Sequence, residues 1–96
     1  ERRAALLLVA AAREEVAALA ARTVADAVLP VAAEFGAEVR GPARAPIERI
    51  KGRWRMMVLV LSKSAAALSR SCAAARTARL KGGVDLTVDV DPAAVL

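Results

Sequence analysis

The side chains in this sequence best suited to bind a ligand are six cations clustered between residues 40 and 55, against one carboxylate, Glu48. An arginine fork matches the geometry of a phosphate because it can donate two parallel hydrogen bonds. The only tryptophan lies inside the cluster, and an indole can stack on an exposed base. The cluster predicts a DNA-binding surface, with an ordinary solvated basic face as the alternative. Its members are Arg40, Arg44, Arg49, Lys51, Arg53, Trp54 and Arg55.

The alternation of a strand separates the tryptophan from its neighbouring arginines. The segment RWRMMVLVLS, residues 53–62, is rich in the residues that strands favour. Successive side chains of a strand point to opposite faces, so Arg53 and Arg55 share one face and Trp54 lies on the other. We expect the two arginines to face solvent or a ligand and Trp54 to pack under the helices. Base stacking by Trp54 is the alternative.

The chain as a whole is basic, with a formal charge of +5 and an isoelectric point near 10.7. This charge favours an anionic partner, which could be nucleic acid, an acidic protein tail or a membrane surface. A soluble basic domain with no such partner is the alternative. A weaker basic strip follows near the end of the predicted second helix, where cations also complement the helix dipole. It consists of Arg70, Arg76, Arg79 and Lys81.

The residues needed for most enzyme and metal sites are absent from the sequence. There is no histidine, which removes the usual general base and the commonest metal ligand. Cys72 is the single cysteine, so no zinc cysteine pair or internal disulfide can form, which fits a reducing cytosol. No glycine-rich phosphate loop occurs. We predict no catalytic residues, no cofactor and no metal site in this chain.

Three aspartates near the end of the sequence have the spacing of a strand face. Asp89 and Asp91 could hold a hard cation, because residues two apart on a strand point the same way. The favoured interpretation is that the aspartates, Asp85 included, form a polar strand edge or pair with Arg2 and Arg3 on a neighbouring strand.

Hydrophobic periodicity predicts six elements. Strands are expected at residues 3–10, 37–41, 53–62 and 84–90. The first helix should run from about residue 12 until Pro30 kinks or ends it, with Gly36 at its exit. The second should begin at Ser62 or Ser64 and end near Leu80. Residues 41–52 read as a long hairpin connection. The buried face of the first helix is predicted to hold Val16, Leu19, Ala20, Thr23, Val24, Ala27, Val28 and Val31.

The order β-α-β-β-α-β predicts an α+β fold, the split βαβ sandwich. Its four antiparallel strands should lie in the spatial order 4-1-3-2, with both helices on one face of the sheet. All 96 residues form one domain. The apolar run after Arg2 and Arg3 superficially resembles a signal peptide, but the charged residues that follow favour a buried strand, too short to span a bilayer. The first residue is Glu1, so we expect a piece of a longer protein.

Several motifs together resemble the C-terminal domain of primosomal protein N′, the bacterial replication-restart DNA helicase. The motifs are Gly41-Pro42, Ala45-Pro46, the Gly-Arg-Trp-Arg of residues 52–55, and the Asp-Val-Asp-Pro of residues 89–92. The first strand and helix, ALLLVAAAREEVAALA, also fit the family. The resemblance covers essentially the whole chain.

This resemblance implies a parent enzyme with a DNA-binding N-terminal domain, two helicase lobes and a zinc-binding insertion. The parent would unwind DNA with 3′-to-5′ polarity using ATP and Mg²⁺, so ATP, Mg²⁺ and Zn²⁺ belong to its other domains. The C-terminal domain is similar to a small-subunit ribosomal protein, helps to bind forked DNA, and borders a pocket for the acidic tail of single-stranded DNA-binding protein. An Arg and a Gln of that pocket correspond here to Ala65 and Ser69, although Lys63 or Arg70 could substitute.

Two hypotheses of different kinds follow for this chain. The first is a noncatalytic DNA-binding domain of a bacterial helicase. This helicase would be cytoplasmic and nucleoid-associated, and its partners would be DNA and other primosome proteins, with no membrane contact. The second is a structural docking module that contacts the helicase lobes or the acidic tail. A free-standing ribosome-type protein is disfavoured by Glu1 at the start and by the closing Asp-Val-Asp-Pro.

Overall fold

Six elements follow one another in the predicted order. The computed structural model describes residues 1–92, which form β1 (Arg3–Ala11), α1 (Glu14–Phe35), β2 (Glu38–Ile50), β3 (Arg53–Ser62), α2 (Ala65–Arg76) and β4 (Asp85–Val90). The strands form one antiparallel sheet in the order β2-β3-β1-β4. This is the predicted order, and it places the two most apolar strands, β1 and β3, at the centre. The α+β split βαβ fold is confirmed.

The core lies between one face of the sheet and both helices. Alternate residues of β1, among them Leu7 and Val9, are buried together with Val58 and Val60 of β3. Leu68 and Cys72 of α2 belong to the same cluster, so both helices cover the same face. Cys72 therefore has the predicted packing role, and burial raises the pKa of its thiol.

The predicted face of α1 is confirmed at Ala20, Val24 and Val28, but alanines outside the prediction form the rest of the buried side. The residues that are buried are Ala17, Ala20, Ala21, Val24, Ala25, Val28 and Ala32, whereas Leu19 is 59% exposed. Small side chains let the helix axis approach the sheet closely, and the larger Leu19 is left at the flank. α1 is also the one helix of residues 1–92 that is long and apolar enough to cross a membrane, by length and composition only.

α1 does not end at Pro30 as predicted but continues to Phe35. Proline removes one hydrogen bond, to the carbonyl four residues earlier, which belongs to Asp26. Both Pro30 and Asp26 lie on the exposed side of the helix, where water can satisfy that carbonyl. Gly36 ends the helix as predicted, with a left-handed φ of 84° and its N–H donated to the Ala32 carbonyl at 3.0 Å.

α2 begins at the predicted cap but ends four residues early. The Ser64 hydroxyl accepts a hydrogen bond from the Ala67 N–H at 3.1 Å. The helix stops at Arg76, and the hydroxyl of Thr77 donates to the Ala74 carbonyl at 2.6 Å. The residues that follow are not helical, and their apolar members Ala78, Leu80 and Val84 pack against the core from this irregular segment.

Candidate nucleic-acid interface

The basic residues lie along a hairpin formed by β2 and β3, and only the turn of this hairpin lies past the end of β1. We call residues 40–55 the basic hairpin. β2 is not the short strand predicted but continues to Ile50, with register shifts between Arg40 and Ala43 and between Arg44 and Arg49. These irregularities accommodate Pro42 and Pro46 within a strand, because proline is tolerated where the hydrogen-bond ladder is interrupted. The connection is therefore strand rather than loop.

The tip of the basic hairpin is a two-residue turn at Lys51 and Gly52. Both residues have left-handed φ angles, 52° and 77°, as a tight hairpin turn requires. The last residue of β1, Ala11, pairs with Trp54, so the segment beyond Trp54 has β2 and β3 only. All residues from 46 to 52 are exposed. Only residues 50–53 therefore lie past the end of β1, and the tip is a short exposed turn at the end of the sheet.

Arg53 and Arg55 lie on the sheet face away from the helices, as the alternation predicts. Arg53 is held firmly: its Nη2 donates to the carbonyls of Ala10 at 3.0 Å and Gly83 at 2.7 Å, and to a carboxylate oxygen of Asp85 at 2.9 Å. The Nη1 of Arg55 donates to the Ile47 carbonyl at 2.7 Å. Arg53 therefore fastens the segment before β4 to the sheet, and Arg55 braces the hairpin.

Two further arginines of the basic hairpin are paired with carboxylates. Arg40 donates to Glu38 at 2.8 Å, and Arg44 pairs with Glu14 of α1 at 2.7 Å. Hydrogen bonds from Arg40 and Arg2 lower the pKa of Glu38 to about 2. All these side chains are well exposed, so the pairs can exchange with other ligands.

Arg49 and Lys51 form no ion pair within residues 1–92. Arg49 lies instead over the indole of Trp54, with its Cζ 4.9 Å from the ring centroid. Trp54 lies on the helix side of the sheet, as the alternation predicts, because its strand partner Ala11 is buried on that side. It is nevertheless only half-buried and does not belong to the part of the core described here. The expected packing under the helices is therefore corrected: an exposed arginine covers the ring.

The contact between Arg49 and Trp54 was not predicted, although the sequence holds a signal for it. A two-residue turn places its flanking residues opposite each other, Ile50 with Arg53 and then Arg49 with Trp54. Lys51-Gly52 is such a turn, since glycine accepts a left-handed φ. A loop at residues 41–52, as predicted, would have no fixed pairing between these residues.

Two of the three aspartates between residues 85 and 91 make ion pairs, whereas Asp89 makes none within residues 1–92. Asp91 accepts two hydrogen bonds from Arg3, at 2.6 and 3.1 Å, which lower the pKa of its carboxyl. Asp85 pairs with Arg53, and Arg2 pairs with Glu38 rather than an aspartate. Within residues 1–92 no three carboxylate or cysteine side chains come close enough to hold a metal ion. The ion-pair interpretation is therefore confirmed for Asp91, whose partner is Arg3.

A small cavity marks the positions that the family resemblance singled out. It measures about 340 Å³ and is lined by Ala65, Ser69, Cys72, Leu68 and Val90, with Arg3 and Arg76 as its cations. Lys63 and Arg70, the expected substitutes, do not line it. Arg70 stacks on Phe35, with its Cζ 4.5 Å from the ring centroid.

The family model described as primosomal protein N C-terminal domain matches residues 2–93 of the chain. The chain belongs to this family. The primosomal protein N C-terminal domain family ties the chain to DNA replication, and specifically to the primosome and replication restart. A search of curated proteins finds no match.

Solved structures show the same fold. The de novo designed protein Foldit4 superimposes with a TM-score of 0.68 at 14% identity, covering 94% of this chain and 96% of the design. An amidase of the hydantoinase/carbamoylase family from Burkholderia multivorans gives a TM-score of 0.54 at 23% identity, covering 93% of this chain and 26% of the amidase. At these identities the likeness concerns the fold alone.

Proposed function

We propose that this domain binds branched or forked DNA without catalysing a reaction, through phosphate contacts of the basic hairpin. The observation that carries the proposal is the exposed end of the hairpin, where Arg49 and Lys51 form no ion pair within residues 1–92. Exposed cations beside a turn at the end of the sheet can contact the phosphates of a nucleic acid.

The other cations of the basic hairpin divide into two groups. Arg40 and Arg44 are exposed and paired with carboxylates, and such pairs contribute only about 0–1 kcal/mol, so a phosphate can replace the carboxylate. Arg55 keeps donors to spare after its bond to Ile47. Arg53 is the least suited to bind DNA, because three acceptors hold its Nη2 and its Nε is buried. Its role is to position the hairpin.

The same proposal places the domain within a larger restart helicase. The parent's other domains would supply 3′-to-5′ unwinding with ATP and Mg²⁺, and would hold Zn²⁺. The domain's partners would be DNA and other primosome proteins, in the bacterial cytoplasm. Family membership supports this context.

Charge reversal at the tip tests the proposal. The double variant Arg49→Glu, Lys51→Glu should bind forked DNA at least tenfold more weakly near 0.1 M salt. The slope of log affinity against log salt should flatten by about 1.8, at about 0.9 per phosphate contact. The matched control is Arg22→Glu, Lys63→Glu, which changes net charge equally at exposed positions outside the hairpin. Fluorescence anisotropy of labelled forks measures the affinity and the salt slope of each double variant. Equal weakening by two folded double variants would reject the hairpin as the binding surface.

A second candidate function is docking of the acidic tail of single-stranded DNA-binding protein. The observation that favours it is the cavity at Ala65 and Ser69, where Arg3 and Arg76 stand in place of the expected cations. Arg3 is engaged by Asp91, which leaves Arg76 as the more available ligand for a carboxylate. An acidic tail peptide should then bind the domain, and Arg76→Glu should abolish that binding while fork binding persists. Unchanged peptide affinity in this variant would exclude the cavity.

A further inference from the structure

Trp54 presents an indole on a rigid support, beneath a cover that can move. Its backbone pairs with Ala11 of β1 on one side and with Arg49 of β2 on the other, so three strands hold it in place. Arg49, in contrast, is an exposed side chain two residues from the turn. The ring is half-buried and lies outside the core cluster of residues 1–92. The guanidinium of Arg49, rather than a helix, covers its face.

Arg44 and Arg49 lie on the same side of the sheet as this ring. The register places Arg44 opposite Met56 and Arg49 opposite Trp54, and the side chains of residues 54 and 56 point the same way. Arg53 and Arg55 lie on the other face and donate to protein acceptors. The helix-side face of the basic hairpin therefore combines one aromatic ring with two exposed guanidinium groups, of which that of Arg44 is paired with Glu14 and Glu48. An aromatic ring flanked by cations is the arrangement that binds single-stranded nucleic acid.

We propose that Trp54 stacks on an unpaired base of DNA, and that the base displaces the guanidinium of Arg49 from the indole. The inference rests on the proposed function, which supplies the phosphate contacts. An exposed arginine–tryptophan contact stabilises its closed arrangement by only about 2- to 5-fold. A base stacked on an aromatic side chain strengthens binding by about 5- to 150-fold. Exchange of the arginine for the base is therefore favourable, and Arg49 is released to contact a phosphate.

The ligand of this site is a base outside a duplex. In double-stranded DNA each base is already stacked on its neighbours, and taking one out costs free energy. At a fork the first unpaired nucleotides carry free base faces beside a dense row of phosphates. The cations of the basic hairpin can thus contact the phosphates of a duplex or of a single strand, whereas stacking on Trp54 requires an unpaired base.

Tryptophan fluorescence tests the exchange directly, because Trp54 is the only tryptophan. The domain is titrated with a fork whose single-stranded arm is intact and with the same fork carrying abasic sites in that arm. The abasic fork keeps its phosphates and lacks the bases. We expect quenching of Trp54 by the intact fork, little quenching by the abasic fork, and about 5- to 150-fold weaker binding of the abasic fork. Equal quenching and equal affinity for the two forks would overturn the inference.

Two variants of Trp54 give a second readout by anisotropy of labelled DNA. Trp54→Leu should lose the preference for the intact over the abasic fork and keep its affinity for blunt duplex within about twofold. Trp54→Tyr, which retains an aromatic face, should restore most of the preference. A leucine variant that is folded, as judged by its thermal melt, and that still prefers the intact fork would contradict stacking.

The variant Arg49→Ala tests whether Arg49 is only a removable cover of the Trp54 ring or a necessary part of the stacking site. If Arg49 only covers the ring, this variant keeps quenching that requires bases, with weaker overall affinity because a phosphate contact is lost. Loss of that quenching in a folded Arg49→Ala would show that the arginine forms the platform, and would overturn the exchange. Absence of salt-sensitive binding to any DNA by the unaltered domain would instead reject the proposed function itself, so the two failures are distinguishable.

Discussion

At the scale of single residues, the same side-chain type has different roles within a short stretch. Arg53 and Arg49 are both arginines of one hairpin. Arg53 donates to two carbonyls and a carboxylate, whereas Arg49 lies on an aromatic ring at the surface. The charge of an arginine alone therefore does not tell whether its guanidinium is held by the protein or lies free at the surface. The hydrogen-bond partners tell the two apart.

Truncating Arg53 should destabilise the fold more than truncating Arg55. Arg53→Met removes hydrogen bonds that join β3, β1 and the segment before β4, and we expect a loss of about 1–3 kcal/mol in the free energy of unfolding. Arg55→Met removes a single bond to Ile47 and should lower that free energy by less than about 1 kcal/mol. Urea denaturation followed by circular dichroism measures both. Equal losses for the two variants would mean that the hydrogen bonds of Arg53 to β1 and to the segment before β4 do not stabilise the fold.

Gly41 is the glycine whose replacement the structure tolerates least. Its φ is +100°, and a Cβ there would lie 2.8 Å from the Met57 carbonyl oxygen and 3.2 Å from the Ala43 nitrogen. Both contacts are with backbone, which cannot move aside as a side chain can. We expect Gly41→Ala to lower the free energy of unfolding by about 2–4 kcal/mol.

Gly82→Ala is the matched control for this substitution. A Cβ at Gly82 meets no atom within 4 Å, and its φ lies outside the left-handed region. The control variant should stay within about 1 kcal/mol of the unaltered domain. The same denaturation experiment compares the two, and a similar loss in both would contradict the steric argument at Gly41.

At the scale of elements, α2 depends on its cap more than a longer helix would. It has only 12 residues, and Ser64 supplies the hydroxyl that accepts the Ala67 N–H. Ser64→Ala should therefore lower the free energy of unfolding by about 1 kcal/mol. Ser69→Ala, at an exposed position inside the helix, should raise it by a few tenths because alanine is the better helix former. Thermal melts of the two variants should shift in opposite directions.

The basic hairpin shows how an element can be longer than its sequence pattern. Pro42 and Pro46 interrupt the alternation of apolar and polar residues, and they are usual markers of a loop. The structure keeps both inside β2 by shifting the register at two places. Because β3 is a long and regular partner, it imposes strand geometry on residues that have little strand preference of their own.

At the scale of the whole molecule, ion pairs link the first residues of the chain to both edge strands. Arg2 binds Glu38 at the start of β2, and Arg3 binds Asp91 just after β4. The pairs join residues far apart in sequence, so they form only when the sheet is complete. Their carboxylates make folding sensitive to acid.

Stability should fall as the pH drops from about 4.5 towards 2. Hydrogen bonds from Arg40 and Arg2 lower the folded-state pKa of Glu38 from 4.5 to about 2, and Arg3 lowers that of Asp91 in the same direction. A carboxyl whose pKa is lower in the folded state stabilises that state above its unfolded pKa. This stabilisation is lost as the pH falls through the folded pKa. The urea midpoint should therefore decline across this window.

Neutral variants test which carboxyl causes the decline. Glu38→Gln should lower the urea midpoint at pH 7 and make it less dependent on pH between 5 and 2, because the amide does not titrate. Glu34→Gln is the control, since Glu34 is exposed on α1 and pairs with no cation within residues 1–92. A Glu38→Gln curve parallel to that of the unaltered domain would show that other groups dominate acid unfolding.

Backbone periodicity allowed much of the architecture to be predicted. The apolar run of β1, the helical spacing of α1 and the glycine at position 36 are local signals, and each led to the correct element. On α1 the predicted Val24 and Val28 are buried, but Leu19 is exposed and alanines complete the buried face, because the distance between helix and sheet is a property of both layers. The end of α2 likewise depended on the core positions of Leu80 and Val84.

The sequence by itself determined the order of the elements, the order of the strands, and the separation of Trp54 from Arg53 and Arg55. These follow from the two periods of the backbone, 3.6 residues in helices and two in strands. Only the tertiary structure decided which cations of the basic hairpin are engaged and what covers the tryptophan. Asp85, Glu14 and Arg49 reach their partners through the packing of separate elements and the register of the hairpin. No local period encodes those contacts.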